Sequence, residues 1–147
     1  MTSTPGNKTI IVDADALIGL IHKDDLLHKP CSQILAFIEQ KGFTVIMPYP
    51  IVLEAATALS RSKVTNRPDL ASSLLNYYLA VQKGNKNFDF EVAELVARLY
   101  NTKTSKKNTP FDHYVLSLAK KNDIQYVFSF DSFYKKNGLI LAEELLK

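Results

Sequence analysis

The sequence predicts an α/β fold on a mainly parallel sheet, and three observations lead to this prediction. Short β-branched and aromatic runs alternate with longer segments whose apolar residues recur at helical spacing. The run Thr9–Val12 is apolar without alternation, as in strands that are covered on both faces. An acidic residue, Asp13 or Asp131, directly follows two of the predicted strands. Because ligands collect beyond the carboxyl ends of parallel strands, these acids mark the edge where we expect function.

The first part of the chain is predicted as strand, helix, helix and strand. The strand Thr9–Val12 ends at Asp13, and a short apolar helix follows, for which Asp15 is the predicted N-cap. Helical spacing returns over Leu26–Gln40, and Phe43–Met47 is predicted as the second strand.

The middle of the chain is predominantly helical. Pro50 is suited to the first position of a helix that continues to about Ser62, and Glu54 lies on this otherwise apolar segment. Further helices are predicted over Arg67–Gln82 and Glu91–Tyr100, with a short strand at Phe88–Phe90 between them. The tyrosines and leucines of the first of these two helices, residues 70–79, are interpreted as core rather than as an interface.

The last part of the chain predicts a helix, a strand and an edge strand. Thr109 is the expected N-cap and Pro110 the first helical residue, which places Asp112 in the first turn. A strand is predicted over Ile124–Phe130, and an edge strand over Leu139–Leu141. The helix is expected to bury an apolar face formed by Phe111, Val115, Leu118 and Ala119.

Length and composition restrict the class of protein. The 147 residues suffice for one domain, which we expect at residues 9–147 after a disordered polar leader at residues 1–8. The net charge of +3 permits a polyanionic partner without requiring one. Cys31 is the single cysteine, so no internal disulfide forms, and we interpret it as a buried apolar residue. No apolar run is long enough to span a bilayer, which predicts a cytoplasmic protein without a membrane partner.

Four acids are predicted just past a strand or in the opening turns of a helix. They are Asp13, Glu54, Asp112 and Asp131. Right-handed crossovers bring these ends to one edge of the sheet. Each acid alone has a structural explanation as a turn or capping residue, but a charge on the apolar Glu54 helix needs water, a partner charge or a metal.

Convergence of these acids requires a cation or raised pKa values. Two carboxylates ~5 Å apart repel by roughly 3 kcal/mol at an effective dielectric constant of ~20. The three histidines have no zinc-ligand spacing, and an all-oxygen set favours Mg²⁺ or Mn²⁺. This chemistry indicates metal-assisted phosphodiester hydrolysis. Asp13 and Asp112 are the predicted principal metal ligands, Asp131 a further ligand, and Glu54 a ligand or a water-positioning base.

Three segments resemble, in this order, the PIN-domain ribonucleases and especially the VapC-type toxins: VDADALI at 12–18, PIVLEAATAL around Glu54, and FDHYVLSLAKKNDIQYVFSFDSFY at 111–134. The resemblance implies a three-layer α/β/α sandwich and Mg²⁺- or Mn²⁺-dependent cleavage of RNA. Its acidic quartet falls on Asp13, Glu54, Asp112 and Asp131. It further implies a homodimer restrained by a small antitoxin. Ser129 matches a Thr or Ser position whose hydroxyl orients the first aspartate.

The sequence departs from this family and leaves alternatives open. Asp15 stands where Ser or Asn is more common, and it either caps the helix, which we favour, or adds a fifth carboxylate to the site. His28 is interpreted as a solvent-facing or packing residue and His113 as exposed. A housekeeping PIN-type nuclease without an antitoxin is one alternative function, and a non-catalytic protein-binding module is another. The Asp13-x-Asp15 pattern also resembles haloacid-dehalogenase phosphatases, but Leu17 takes the place of their Thr or Val.

Overall fold

The fold is built on a four-stranded parallel sheet. The computed structural model describes residues 8–61, 65–81, 90–100 and 108–147. The strands are β1 Thr9–Val12, β2 Thr44–Ile46, β3 Tyr126–Phe128 and β4 Ile140–Leu141. They lie in the sheet order β2-β1-β3-β4, so β1 is an inner strand, and its Ile11 lies between Ile46 of β2 and Val127 of β3. Ile10, Ile11 and Val12 of β1 are apolar and buried because helices cover both faces of the strand.

Helices form all the connections between the strands. Right-handed crossovers place the helices between β1 and β2 on one face of the sheet, and those directly before and after β3 on the other. In the described ranges the α-helices are α1 Ala14–Ile21, α2 His28–Gln40, α3 Tyr49–Arg61, α4 Pro68–Val81, α5 Phe90–Leu99, α6 Pro110–Lys121 and α7 Ser132–Lys136. A 3-10 helix, Ala142–Leu146, follows β4 and packs against α2.

The helix α3 links the two helical layers. It packs against α4 along its length and also contacts both α1 and α6. Its Ile51, Val52, Ala55 and Leu59 are fully buried, which fixes the rotation of the helix about its axis. This rotation is what decides where Glu54 lies.

One hydrophobic core joins the sheet to its helices. The largest fully buried side chains in the described ranges include Tyr134 and Phe128. Cys31 is also fully buried, as predicted, and burial raises the pKa of its thiol to about 12. Within these ranges no helix is both long and apolar enough to cross a membrane.

The predicted fold class is confirmed as a parallel sheet between helical layers. All four strands in the sheet order were predicted, including the edge strand β4. The helix starts and ends agree with prediction to within about two residues because capping residues and prolines mark them. The disordered leader was predicted at residues 1–8, and residues 1–7 lie outside the described ranges.

Two details of the elements were predicted wrongly. The N-cap of α1 is Asp13 rather than Asp15, because the chain turns into the helix directly after β1. The predicted strand at Phe88–Phe90 is also wrong where it can be compared, since Phe90 begins α5, while residues 88 and 89 lie outside the described ranges. The five-residue helix α7 was not predicted.

The buried face of α6 differs from prediction. Phe111 is 38% exposed, whereas His113, predicted to be exposed, is buried. The His113 ring packs between Tyr100 and Phe133, and its Nδ1–H donates to the Thr109 carbonyl at 3.0 Å. This bond to the N-cap residue draws the imidazole inward and leaves Phe111 at the surface.

The helix α4 divides its apolar residues between core and surface. Tyr78 and Leu74 are buried, as predicted, whereas Tyr77 and Leu79 are 58% and 65% exposed. The interpretation of the whole segment as core is therefore only half right.

Candidate metal and active site

The first acid, Asp13, is fixed where β1 ends. Its N–H donates to the Phe128 carbonyl at 3.0 Å, which extends the pairing of β1 with β3 by one residue. Ser129 follows β3 directly and is buried beside it. Two adjacent parallel strands therefore bring a carboxylate and a hydroxyl to the same edge of the sheet.

The two oxygens of Asp13 have different environments. Oδ2 accepts the Tyr134 hydroxyl proton at 2.9 Å and lies 3.2 Å from the Ser129 hydroxyl. Oδ1 is buried and has no hydrogen-bond partner. A buried carboxylate oxygen without a donor is costly, so this atom is a natural ligand for a cation.

Asp112 lies in the first turn of α6 and performs two tasks. Its Oδ2 accepts the Thr109 N–H at 2.8 Å, which is the acidic half of a capping box. Its Oδ1 lies 3.4 Å from the Tyr134 hydroxyl. The Tyr134 side chain thus stands between Asp112 and Asp13 and contacts both carboxylates.

Asp15 belongs to this cluster and is not the N-cap of α1, although its Oδ1 accepts the Ala16 N–H in the first turn at 2.8 Å. Its Oδ2 accepts the Phe130 N–H at 2.8 Å and lies 3.1 Å from the Ser129 hydroxyl. Ser129 has one hydroxyl proton, so it donates to either Asp13 or Asp15, and a protonated carboxyl can donate to it in turn. The favoured capping interpretation of Asp15 is therefore wrong, because its carboxylate reaches across to the end of β3.

Glu54 reaches the same cluster from α3. Its Oε1 is buried without a partner, as is Oδ1 of Asp13. Burial, followed by the charges of Asp13, Asp112 and Asp15, raises the pKa of Glu54 to about 7. The contacts of α3 with both α1 and α6 explain how one residue lies near acids from two other elements.

The crowding of negative charge is also evident at Asp13 and Asp15. Burial, followed by the charge of Asp15, raises the pKa of Asp13 to about 7. Burial also raises the pKa of Asp15, whereas its bonds from Phe130 and Ser129 lower it. Burial and the neighbouring aspartates raise the pKa of Tyr134, so its hydroxyl remains a donor.

Asp131 stands at the margin of this cluster. Its Oδ1 accepts the Phe133 N–H at 2.9 Å and so caps α7, and its own N–H donates to the Ser129 hydroxyl at 3.1 Å. Its charge is among the causes that raise the pKa of Asp15. The structure thus brings Asp13, Glu54 and Asp112 together with Asp15, and joins Asp131 to them through Ser129.

The donor set suits a hard divalent cation. Among the described residues, no group of three or more His, Cys, Asp or Glu side chains is arranged to hold a metal ion. Mg²⁺ does not need such a group, because it keeps several waters and uses one or two carboxylates. The partnerless oxygens of Asp13 and Glu54, both from acids with raised pKa values, fit that requirement.

Sequence reasoning missed Tyr134 and, of its two alternatives for Asp15, favoured the one that the structure contradicts. Tyr134 was quoted only as the end of a motif, since α7 was not predicted and a buried tyrosine is usually core. Asp15 was assigned to a helix cap because no local signal indicates that its carboxylate contacts residues more than a hundred positions away.

Comparisons with known proteins give one family and one fold. The family model described as PIN domain matches residues 10–138. The structure is similar to the crystal structure of Mycobacterium tuberculosis VapC20, described as a sarcin-ricin loop cleaving toxin, with a TM-score of 0.75. The two sequences are 17% identical, and the match covers 89% of this chain and 96% of VapC20. No curated protein matches the sequence.

Proposed function

Because this chain belongs to the PIN domain family, we propose that it is a metal-dependent ribonuclease that hydrolyses phosphodiester bonds in RNA. The observation that carries this proposal is the pair of buried, partnerless oxygens, Asp13 Oδ1 and Glu54 Oε1, in a cluster of carboxylates. Such a cluster is tolerable near neutral pH when a divalent cation offsets its charge. Bound Mg²⁺ or Mn²⁺ would supply a water of lowered pKa and neutralise charge on the phosphate.

We assign separate roles to the acids. Asp13 and Asp112 are the principal metal ligands, and the Tyr134 hydroxyl between them fixes both carboxylates. Glu54 is a further ligand through its partnerless Oε1, or it is the base, since its pKa of about 7 lets it accept a proton from the attacking water at neutral pH. Asp131 acts at the margin, as a ligand directly or through water, since its Oδ1 already caps α7.

Cleavage by matched aspartate variants tests this proposal. Asp13→Asn and Asp112→Asn are each expected to abolish Mn²⁺-dependent cleavage of RNA, with circular dichroism and cooperative melting retained. Asp123→Asn is the control, because Asp123 is exposed and asparagine tolerates its positive φ of 56°. Undiminished cleavage by purified Asp13→Asn protein would overturn the assignment.

We also propose that the protein is the toxin of a toxin-antitoxin pair, with a small antitoxin as its partner. The support is the likeness to VapC20, which is described as a toxin. Expression of the wild-type chain alone is expected to arrest growth, and expression of Asp13→Asn is not. Normal growth with active purified enzyme would instead favour a housekeeping PIN-type nuclease.

The assembly and location are proposals of the same kind. We propose that residues 9–147 form one domain that associates as a homodimer in the cytoplasm, where its RNA substrate occurs. Exposed apolar residues on α4, including Tyr77 and Leu79, are compatible with association. Light scattering after size exclusion is expected to give twice the mass of the chain, and a monomer would contradict the homodimer.

A further inference from the structure

A groove leaves the acidic cluster along α6 and α7. It has a volume of about 560 Å³ and begins at Asp131. Its walls come from α5, α6 and α7, and Phe133 and His113 give it an aromatic side. The helices α6 and α7 both start at the acidic edge of the sheet, so the groove extends from this edge down the side of the molecule.

Two lysines line the far part of this groove. Lys120 lies eight residues beyond Asp112 on α6, and Lys136 lies five residues beyond Asp131 on α7. At 1.5 Å per helical residue, both lysines are roughly 8 to 12 Å from the acids along the helix axes. They are therefore placed beyond the acidic cluster, where they can bind a neighbouring phosphate of the same strand.

The helices α6 and α7 each end with two adjacent lysines, and in each pair, within the described ranges, one lysine has an ion-pair partner and the other does not. Lys121 pairs with Glu91 at 3.3 Å, and Lys135 pairs with Glu144 at 3.2 Å. Lys120 and Lys136, which line the groove, have no ion pair with a carboxylate among the described residues. The positive charge in the groove is thus left for an external anion.

We propose that this groove binds the sugar-phosphate backbone of single-stranded RNA next to the cleaved bond, with Lys120 and Lys136 on flanking phosphates. The inference rests on the proposed ribonuclease function, since the groove begins where that strand would be cut. Phosphate contacts of this kind position a strand without reading its sequence. The partly exposed Phe133 ring offers a surface on which a base can stack.

The alternative occupant is an acidic protein segment. Asp131 at the mouth of the groove repels the carboxylates of such a segment and the phosphates of RNA alike, so it does not distinguish the two. The partly exposed Phe133 ring does distinguish them, because RNA carries bases that can stack on it and acidic side chains have no such group. The observations therefore favour RNA.

Salt-dependent RNA binding tests the groove separately from cleavage. The probe is a fluorescein-labelled single-stranded RNA, measured by anisotropy in EDTA over a series of KCl concentrations. Each lost phosphate contact reduces the slope of log K against log salt by about 0.7, so Lys120→Gln/Lys136→Gln is expected to lower it by about 1.4. In Mn²⁺ the same variant is expected to raise KM for RNA several-fold with kcat unchanged.

The control is Lys29→Gln/Lys41→Gln, which removes the same charge. Both lysines are exposed and belong to α2 and its C-terminal cap, on the other face of the sheet. This variant is expected to keep the wild-type slope and KM. All four lysines are exposed, so melting temperatures are expected to change little.

The outcomes separate the two proposals. If the salt slope is unchanged in the groove variant, or falls equally in the control variant, the proposed RNA-binding role of the groove is wrong. Cleavage of RNA by the wild type would still support the nuclease function in that case. If the groove variant instead loses affinity for poly-glutamate and not for RNA, the groove binds protein and the inference is wrong. Absence of cleavage by the wild-type chain in Mg²⁺ and Mn²⁺ defeats the proposed function, whatever the slopes.

Discussion

The hydroxyl of Tyr134 lies between two carboxylates of the site. It lies 2.9 Å from Asp13 Oδ2 and 3.4 Å from Asp112 Oδ1, and the ring is fully buried in the core. Two acids from distant parts of the chain are therefore held by one rigid side chain. Groups that orient metal ligands in this way typically contribute 10- to 100-fold in metal affinity or activity.

We predict that Tyr134→Phe weakens Mn²⁺ binding by about 10- to 100-fold while the protein remains folded. The ring still fills the core, but the hydroxyl no longer restricts the two carboxylates. The measurement is the rise in melting temperature on Mn²⁺ titration without RNA. Tyr77→Phe, at an exposed tyrosine, is the control, and equal Mn²⁺ affinity in the two variants would contradict a positioning role.

The protonation of Asp13 and Glu54 links stability to pH. In the folded protein the pKa of Asp13 rises from 3.8 to about 7, and that of Glu54 from 4.5 to about 7. Between the unfolded and folded values, the folded state binds more protons than the unfolded chain. Their contribution to stability is therefore full at the acidic end of this interval and is lost as pH rises through about 7.

We predict that metal-free protein loses melting temperature as pH rises from about 5 to 7. The Asp69 carboxylate does not interfere, because its bond from Arg67 lowers its pKa to about 2. Thermal melts in EDTA at several pH values provide the measurement. Glu54→Gln removes one titrating group and is expected to reduce the slope, whereas an identical slope would show that Glu54 does not titrate there.

At the scale of elements, α1 and α2 approach closely at Gly19. A Cβ at this position would lie 2.6 Å from Cys31 Sγ and 3.3 Å from the Leu27 carbonyl oxygen. The Gly19 carbonyl also accepts the His28 Nδ1–H at 2.8 Å, which confirms that His28 is a packing residue. The glycine therefore allows the two helices to cover the same face of the sheet.

We predict that Gly19→Ala destabilises the protein by about 1 to 3 kcal/mol through overpacking, despite the better helix propensity of alanine. The measurement is chemical denaturation of this variant and of Gly19→Ala/Cys31→Ala. The smaller residue at position 31 makes room, so the double variant is expected to lose less than the sum of the single losses. Strict additivity would show that the Cys31 contact is not the cause.

The elements differ in how well the sequence predicted them, and the reason is physical. α6 was predicted because Thr109 and Pro110 mark its start, and β1 because a fully buried strand is apolar throughout. α7 was missed because five residues are too few for helical periodicity to appear. Its Asp131 cap was available as a signal, but Asp131 was interpreted as a metal ligand or a turn residue and not as the start of a helix.

At the scale of the whole molecule, charge repulsion and metal binding oppose each other. The acids of the cluster come from the end of β1 and from α1, α3 and α6, which meet at one edge of the sheet. Repulsion between their carboxylates therefore lowers the stability of the whole folded protein. A cation that binds only the folded protein stabilises it by mass action, by about 2.7 kcal/mol at a hundred times its dissociation constant.

We therefore predict that the order of stability reverses with metal. In EDTA at neutral pH, Asp13→Asn is expected to melt at a higher temperature than the wild type, because one buried carboxylate is gone. With saturating Mn²⁺ the wild type is expected to melt higher. Calorimetry of both proteins in both buffers measures this, and the same order in both would argue against a metal at the cluster.

The sequence alone determined the parallel α/β architecture and the four acids, because periodicity, caps and strand-end residues are local signals. Only the tertiary structure decided that Asp15 joins the cluster, that Tyr134 bridges Asp13 and Asp112, and that Lys120 and Lys136 line a groove. These facts depend on the rotation of helices and on contacts between residues far apart in the chain. Such contacts are fixed by packing of the whole core and leave no pattern in the neighbouring sequence.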